Sequence, residues 1–567
     1  MVEMKMRKNK IRLYWNTVKR LKPVQIRYQI TKRICTDRKR IQRNVNRLKV
    51  PETAPLHILI EELDCEESYV RRFCTDALLE HHIKLLHESY KIESDWQIPS
   101  ASRLWNYNLH YLEFLIPLSV KYVQTAQEKF FFQWKQLIEG WMKQDSKDSF
   151  EPYVISMRIP NMLVSMEILQ QKTGGTELEK KLLDSIYRQY RYLLQTQELA
   201  LLANHYFENL KALVISSLFF GELDIYHKYF DLFLKQIDEQ ILPDGVHFER
   251  SLMYHKIILE DILRVYQAAD SAGHACDAEK LIPIIRIMAA ALDNLEQGFP
   301  DRTPLFNDAG NNVCKGSRQL LAAVQHICGY EKKPVRSFKD AGYYKMSVED
   351  VTILFDCGDI GPSYMGGHGH CDCLSFELAV NGRCLFVNSG TGCYQGERRA
   401  FFRSTKAHNT VMIDEREQAE LWGEHRAARR MTDLRGTAKK DLLAGRFRNY
   451  MGDFFKRKMK WIRPSHSLEI TDCLTAFEKG NHTARQFFHL APGLVYKACG
   501  PQIYILNGNH VQAILIPPQG SRYRIYRSGQ ITDYASDFGL YEKKQVLEIR
   551  TSFEKCTVMQ TRIELNL

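Results

Sequence analysis

At 567 residues the chain is too long for one ordinary hydrophobic core, so two or three domains are expected. A 44% apolar content with only 31 Gly and 18 Pro excludes long disorder, and the lack of any 18-residue uncharged apolar run excludes a transmembrane helix. The net charge of +12 is local: residues 1–50 hold 17 Lys/Arg and two acids, which leaves the remaining chain slightly acidic at −3.

Residues 1–55 read as a basic amphipathic arm. Ile11, Tyr14, Trp15, Val18 and Leu21 recur at helical spacing, Pro23 interrupts them, and Ile41, Val45 and Leu48 resume the pattern. This stripe is expected to pack on the body with its charges solvated, with an anionic membrane surface or an acidic partner as the alternative. No DNA- or RNA-binding motif accompanies the charge, so no nucleic acid is expected. The first residues lack the apolar segment of a secretory signal, and the 14 cysteines include no CxxC pair. Reduced thiols follow, and Cys371 and Cys373 are expected on one strand face, where they cannot easily bridge. A cytoplasmic location, peripheral to the inner face of a membrane, is the expectation.

Residues 56–340 read as helical. Apolar faces run through Leu109–Leu115, Phe130–Met142, Val154–Leu169, Leu178–Leu194, Asn209–Phe220 and Leu252–Ala269, joined by short loops. Paired helices without a strict repeat suggest a stacked or toroidal arrangement and not a standard solenoid. Three clusters in this half are rich in polar and aromatic groups: Trp105 to His110, Asn204 to Asn209, and Asp244 to His255. Asn204 or a neighbour could instead cap a helix, and Tyr254 with His255 could be a buried pair. Arg158 lies in an otherwise apolar helix and calls for an anionic partner.

From residue 341 to 567 the period changes to two. Gly342–Val348, Val351–Phe355, Leu374–Val380, Cys384–Val387 and several later runs read as strands, with a hairpin turn at Asn381-Gly382. Many short strands with no helix between them imply an antiparallel sandwich. The chemistry is densest at residues 366–410, where a Gly-rich turn presents His368, His370 and Asp372, followed by Tyr394, Arg403, His408 and Asn409. A site between the two halves is expected, because clefts favour domain interfaces.

Six blocks in order, WNYNLHYLEFL, NHYFENLKAL, DGVHFERSLMYH, HGHCDCLSFEL, LFVNSGTGCY and FFRSTKAHNTVMID, resemble the heparinase II/III-like polysaccharide lyases, to which alginate lyases of similar build are related. The resemblance implies an α+β multidomain chain, an incomplete α/α toroid followed by an antiparallel β-sandwich. It also implies β-elimination in a uronic-acid-containing polysaccharide, linked to bacterial capsule or exopolysaccharide. Asn204, with His205 beside it, matches the group that neutralises the uronate carboxylate. Tyr254 matches the family's acid, base or both, and His368 or His370 its sandwich-borne histidine. Tyr394 matches a second phenol near the leaving group.

Substrate contacts are expected from Trp105, Asn108, His110, Arg158, Glu208, Tyr394, Arg403 and Asn409, with Arg250 adding local charge. No cofactor is required. Some members carry a structural zinc, here at His370, Asn388 and His408; the neutral Asn388 is a poor ligand that Asp372 or Cys371 would have to make good. Two other readings remain open: a non-catalytic polysaccharide-binding or assembly protein, and a hydrolase using Glu208 and Glu249.

Overall fold

The computed structural model describes residues 2–35, 38–93, 95–300 and 302–567, with side chains from residue 10 onward except 31–35. Its first half is a helical toroid and its second an antiparallel β-sheet region, as the periodicity predicts. The inner helices are Pro152–Ile168, Ala203–Phe219 and Leu252–Ser271, whose residues are buried on nearly every face. A helix that is apolar all round has no solvent side and must sit inside. Outer helices such as Glu177–Thr196 and Leu223–Gln240 bury only a stripe, for example Leu182, Ile186, Tyr190 and Leu193.

Several elements differ from expectation. The run Leu109–Leu115 is two helices, Arg103–Tyr111 and Leu115–Thr125, because Leu112 turns left-handed with φ 56°. Helices Leu223–Gln240, Ile282–Glu296 and Ser317–Ile327 complete the ring, and a small hairpin, His82–Leu85 with Glu88–Lys91, lies at its edge. The arm forms helices Val2–Val18, Pro23–Cys35 and Arg38–Val45, with Pro23 at the first turn, where its missing N–H costs nothing. Val45 is buried against the toroid, but Ile11, Trp15 and Val18 stay exposed, so that part of the stripe does not pack on the body. Among the described residues no helix is long and apolar enough to cross a membrane.

The β half holds three main sheets. A five-stranded sheet runs from Ser337 to Phe386, an eight-stranded sheet includes Leu442–Arg448, Phe454–Ile462 and Ser467–Thr475, and a four-stranded sheet is centred on His482–His489 and Val546–Phe553. Burial alternates strictly along Leu442–Arg448 and Phe454–Ile462, the signature of strands with one face in a core. The five- and eight-stranded sheets approach closely at Gly445, where a Cβ would lie 3.0 Å from the Phe355 ring and 2.7 Å from Leu374 in the adjoining turn. Pairing in the fourth strand of the former begins at Phe376, not Leu374, whose φ is +59°. Cys371 and Cys373 therefore precede the strand, buried in the preceding turn, and the 13 described cysteines are all free.

Arg250, expected at substrate, joins the halves instead. Its guanidinium donates to Ala341 O at 2.8 Å and Asp340 O at 3.3 Å, while its carbonyl accepts from Tyr343 Oη and from Asn307 Nδ2.

Candidate active site

A cleft of about 440 Å³ opens where the toroid meets the sandwich, and Asn204, His205, Tyr254, His368 and Tyr394 all line it. Tyr254 stands in the first turn of helix Leu252–Ser271, whose N-terminus is capped by the Ser251 hydroxyl accepting from Tyr254 N. Its phenol oxygen lies 2.6 Å from Tyr394 Oη and 3.2 Å from His368 Nε2, and the Tyr254 and His368 rings stack 4.2 Å apart. Asn204 and His205 open helix Ala203–Phe219, directly after two residues held at positive φ, Leu202 (61°) and Ala203 (49°). Such backbone strain is concentrated where a site must be held in one geometry.

The Gly366–His370 turn is clamped from behind. Arg403 donates to the carbonyls of Gly366 and Gly369, Arg399 donates to that of Gly367, and Asp308 N donates to that of His368. Gly369 is required there, since a Cβ would sit 2.6 Å from Ile360 O. The clamp separates the two candidate histidines. His368 faces the cleft, whereas His370 is fully buried with Nε2 2.8 Å from an Asp308 oxygen.

Electrostatics differ sharply among these groups. Glu249 Oε2 meets His368 Nδ1 at 2.6 Å; burial works to raise the Glu249 carboxyl, but the facing imidazole holds it below its ordinary value. Burial pushes the Tyr254 phenol well above its ordinary range, so it holds its proton. Burial works against a charged His205, yet Glu198, 3.2 Å away, raises this imidazole above its ordinary value. The Asn204 Oδ1 is buried with no partner among the described residues, so no protein donor holds this acceptor in place.

Of the eight expected substrate contacts, Asn108 and Tyr394 line the cleft and six do not. Trp105 is buried and donates to Glu88 O at 3.2 Å. His110 is buried between Trp141 Nε1 and Ser146 Oγ, and burial pulls it down to about 3. Arg158 finds no carboxylate among the described residues: it donates to Gln189 Oε1, His110 O and Ser149 O, 4.4 Å over the Trp141 ring. Glu208 is buried and paired with Lys211. Arg403 serves the turn described above, and Asn409 ties Phe376 O to His489 N. Neither Glu208 nor Glu249 lines the cleft, so the paired-carboxylate arrangement of a hydrolase is not formed by them.

Residues that escaped the sequence reading include Tyr107, Tyr111 and Tyr153, which give the cleft aromatic walls, and Lys211, Arg264 and Lys315, its cations. Each of these cations is matched by carboxylate: Lys211 by Glu208 and Asp261, Arg264 by Asp64 and Glu260, Lys315 by Asp64.

The expected metal ligands are rearranged. Ligand atoms of His370, Asp372 and His408 lie within 4.8 Å of one another, all buried. Asn388 instead donates its backbone N–H to Glu377 Oε1 and its amide toward Ser375 Oγ. His370 Nε2 faces the Asp308 carboxylate and His408 Nε2 donates to Phe402 O, so each ring turns an unpartnered Nδ1 inward. Oriented imidazoles of this kind, with a carboxylate beside them, fit a divalent ion.

Comparison with known proteins agrees with this architecture. Residues 37–326 match the heparinase II/III N-terminus and residues 331–557 the heparinase II/III-like C-terminal domain. The chain is 22% identical over 375 residues to a heparin-sulfate lyase of Bacteroides thetaiotaomicron, covering 57% of this chain and 53% of that protein. It is 20% identical over 365 residues to the heparin-sulfate lyase of Pedobacter heparinus, covering 57% and 54%. The matched segment thus spans about half the length of these curated relatives. The crystal structure of heparinase III superposes with a TM-score of 0.72 at 16% identity, covering 96% of this chain and 92% of that one. The fold is therefore shared with heparinase III, and the chain belongs to the heparinase II/III-like family.

Proposed function

We propose that the protein is a polysaccharide lyase that cleaves a uronic-acid-containing chain by β-elimination. The observation that carries this reading is the meeting of Tyr254, His368 and Tyr394 across the cleft, beside Asn204 and His205. On this reading the Asn204 amide and the His205 imidazolium bind the uronate carboxylate and stabilise the enolate-like charge as it develops. Glu249 holds the proton on His368 Nδ1, which leaves Nε2 as the base that takes the C-5 proton. Tyr254, which holds its proton, gives it to the leaving C-4 oxygen as the C–O bond breaks and the C-4–C-5 double bond forms. His368 then returns the abstracted proton to Tyr254 across their 3.2 Å contact. The polymer is, on the same reading, a bacterial capsule or exopolysaccharide.

Absorbance of the unsaturated uronate tests it, with purified protein and a panel of acidic polysaccharides including capsular ones. Wild type should generate the band, and Tyr254→Phe and His368→Ala should each lower the rate by about 10²–10⁴-fold. Cleavage without a double bond, or full activity in either variant, would overturn the assignment.

We further propose that His370, Asp372 and His408 hold a structural divalent ion, which would tie the His368 turn to the strand region near residue 408. The support is the pair of inward Nδ1 atoms and the adjacent carboxylate. Elemental analysis should find about one zinc-type ion per chain, lost in Asp372→Asn with a lowered melting temperature. Wild-type protein that carries no metal as purified, or metal-loaded wild type that melts at the same temperature as the variant, would remove the proposal.

A further inference from the structure

A helix that merely packs on a protein buries its apolar face, and the arm does so only in part: Val24, Ile41 and Val45 pack on the body and Tyr14 meets Trp422 edge-on, while a second apolar stripe stays outside. Polar contacts hold the inner side as well. Trp422 Nε1 donates to Thr17 Oγ1 at 3.0 Å, Arg20 Nε donates to Ala428 O at 3.0 Å, and the buried Gln25 donates to Leu201 O at 3.2 Å. Lys22 pairs with Glu239 and lies 4.3 Å over the Tyr364 ring. The outward face is apolar. Ile11 (69% exposed), Trp15 (69%) and Val18 (41%) follow one another at helical spacing, and Ile26 (37%) and Ile30 (55%) do so on the second helix. Exposed Lys10 and Lys19 flank the first stripe, within a segment of net charge +15.

We propose that this face docks on an anionic lipid surface. An apolar stripe with an exposed tryptophan, set among lysines and arginines, suits the boundary between headgroups and acyl chains. A soluble acidic polysaccharide would use the charge but not the stripe. A second copy would bring two such segments of +15 together and repel. The inner face reaches Leu201, which lines the cleft, so lipid docking would set the cleft beside the bilayer, where surface-held polymer is found. The inference stands apart from the lyase reading, because vesicle binding requires no turnover.

The test is co-sedimentation of the full chain with phosphatidylcholine vesicles, with and without a quarter of phosphatidylglycerol. The protein should bind only the anionic vesicles, with a blue shift of Trp15 emission that Trp15→Phe removes. The triple variant Ile11→Ser, Trp15→Ser, Ile30→Ser should lose at least about tenfold in binding, with its thermal unfolding unchanged because these side chains are exposed. Absence of wild-type binding to the anionic vesicles would overturn the proposal, as would equal binding by the triple variant. So would a stripe-dependent dimer in sedimentation velocity, or capture of soluble acidic polysaccharide by the arm, if either occurs without vesicle binding.

Discussion

Asn204 and His205 are neighbours at one helix end, yet their surroundings prepare them for different parts of one task. The amide is neutral, and because no donor among the described residues holds its buried oxygen it can turn so that its Nδ2 donates to a carboxylate. The imidazole is biased toward its charged form by Glu198 against the effect of burial. A cation is useful to the proposed reaction only while it is protonated. The Michaelis constant should therefore rise as pH climbs through the raised His205 value. Glu198→Gln removes the carboxylate that favours the charged form, so the same rise should begin at lower pH. The variant should show about a three- to tenfold higher KM at pH 7.5 and a smaller penalty at pH 6, with kcat much less affected. Equal penalties at both pH values would show that Glu198 acts only by positioning the ring.

Helix Arg103–Tyr111 shows how much an element hides or reveals. Leu104, Tyr107, Asn108 and Tyr111 line the cleft at positions i, i+3, i+4 and i+7, while Trp105, Asn106, Leu109 and His110 turn into the toroid. Trp105→Ala should cost about 3–5 kcal/mol of stability, seen in thermal unfolding. Asn108→Ala and Tyr111→Phe should leave the melting point within about 2 °C and raise KM. The toroid and the sandwich were legible because their apolar periods, 3.6 and 2, follow directly from burial on one face. The central side chains were legible because they lie in motifs that match the family in order. Substrate contacts were not, because the block Trp105–His110 was read by composition, although the helical period divides it into two faces. Arg158 shows the other difficulty. A buried guanidinium can be satisfied by two carbonyls, a Gln oxygen and a Trp face, and nothing local in the sequence distinguishes that from a site for an anion. Asp372 displaced Asn388 from the candidate metal site for a similar reason: the turn that brings it beside His370 and His408 is a tertiary feature.

For the whole molecule, the cleft exists only while the two halves hold their joint, where an apolar cluster of Leu252, Leu295 and Phe306 with Tyr343 and Leu354 is reinforced by polar ties. Arg302 pairs with Glu377 at 2.9 Å, and Lys345 reaches from strand Tyr343–Val348 to Asn294 O and Gln297 Oε1 at the end of helix Ile282–Glu296. Lys345 is 3% exposed, and burial, with Lys332 nearby, lowers its ammonium to about 7. In the unfolded chain the same group remains protonated to about pH 10.4. Between pH 7 and 10 the unfolded state therefore binds the extra proton, and stability gains up to about 1.4 kcal/mol per pH unit as pH rises. Below pH 7 both states are protonated, the cost of the buried charge is fully present and the slope vanishes. Lys345→Met should remove this part of the slope. It also leaves Asn294 O unpaired, at a cost of about 1–3 kcal/mol that does not change with pH. Comparing wild type and variant by chemical denaturation at pH 7.5, 8.5 and 9.5 separates the two effects, since other titrating groups cancel in the difference. The wild type should overtake the variant progressively as pH rises. A constant difference would mean that Lys345 remains charged in its buried place, and that the helix end it touches carries enough negative potential to keep it so.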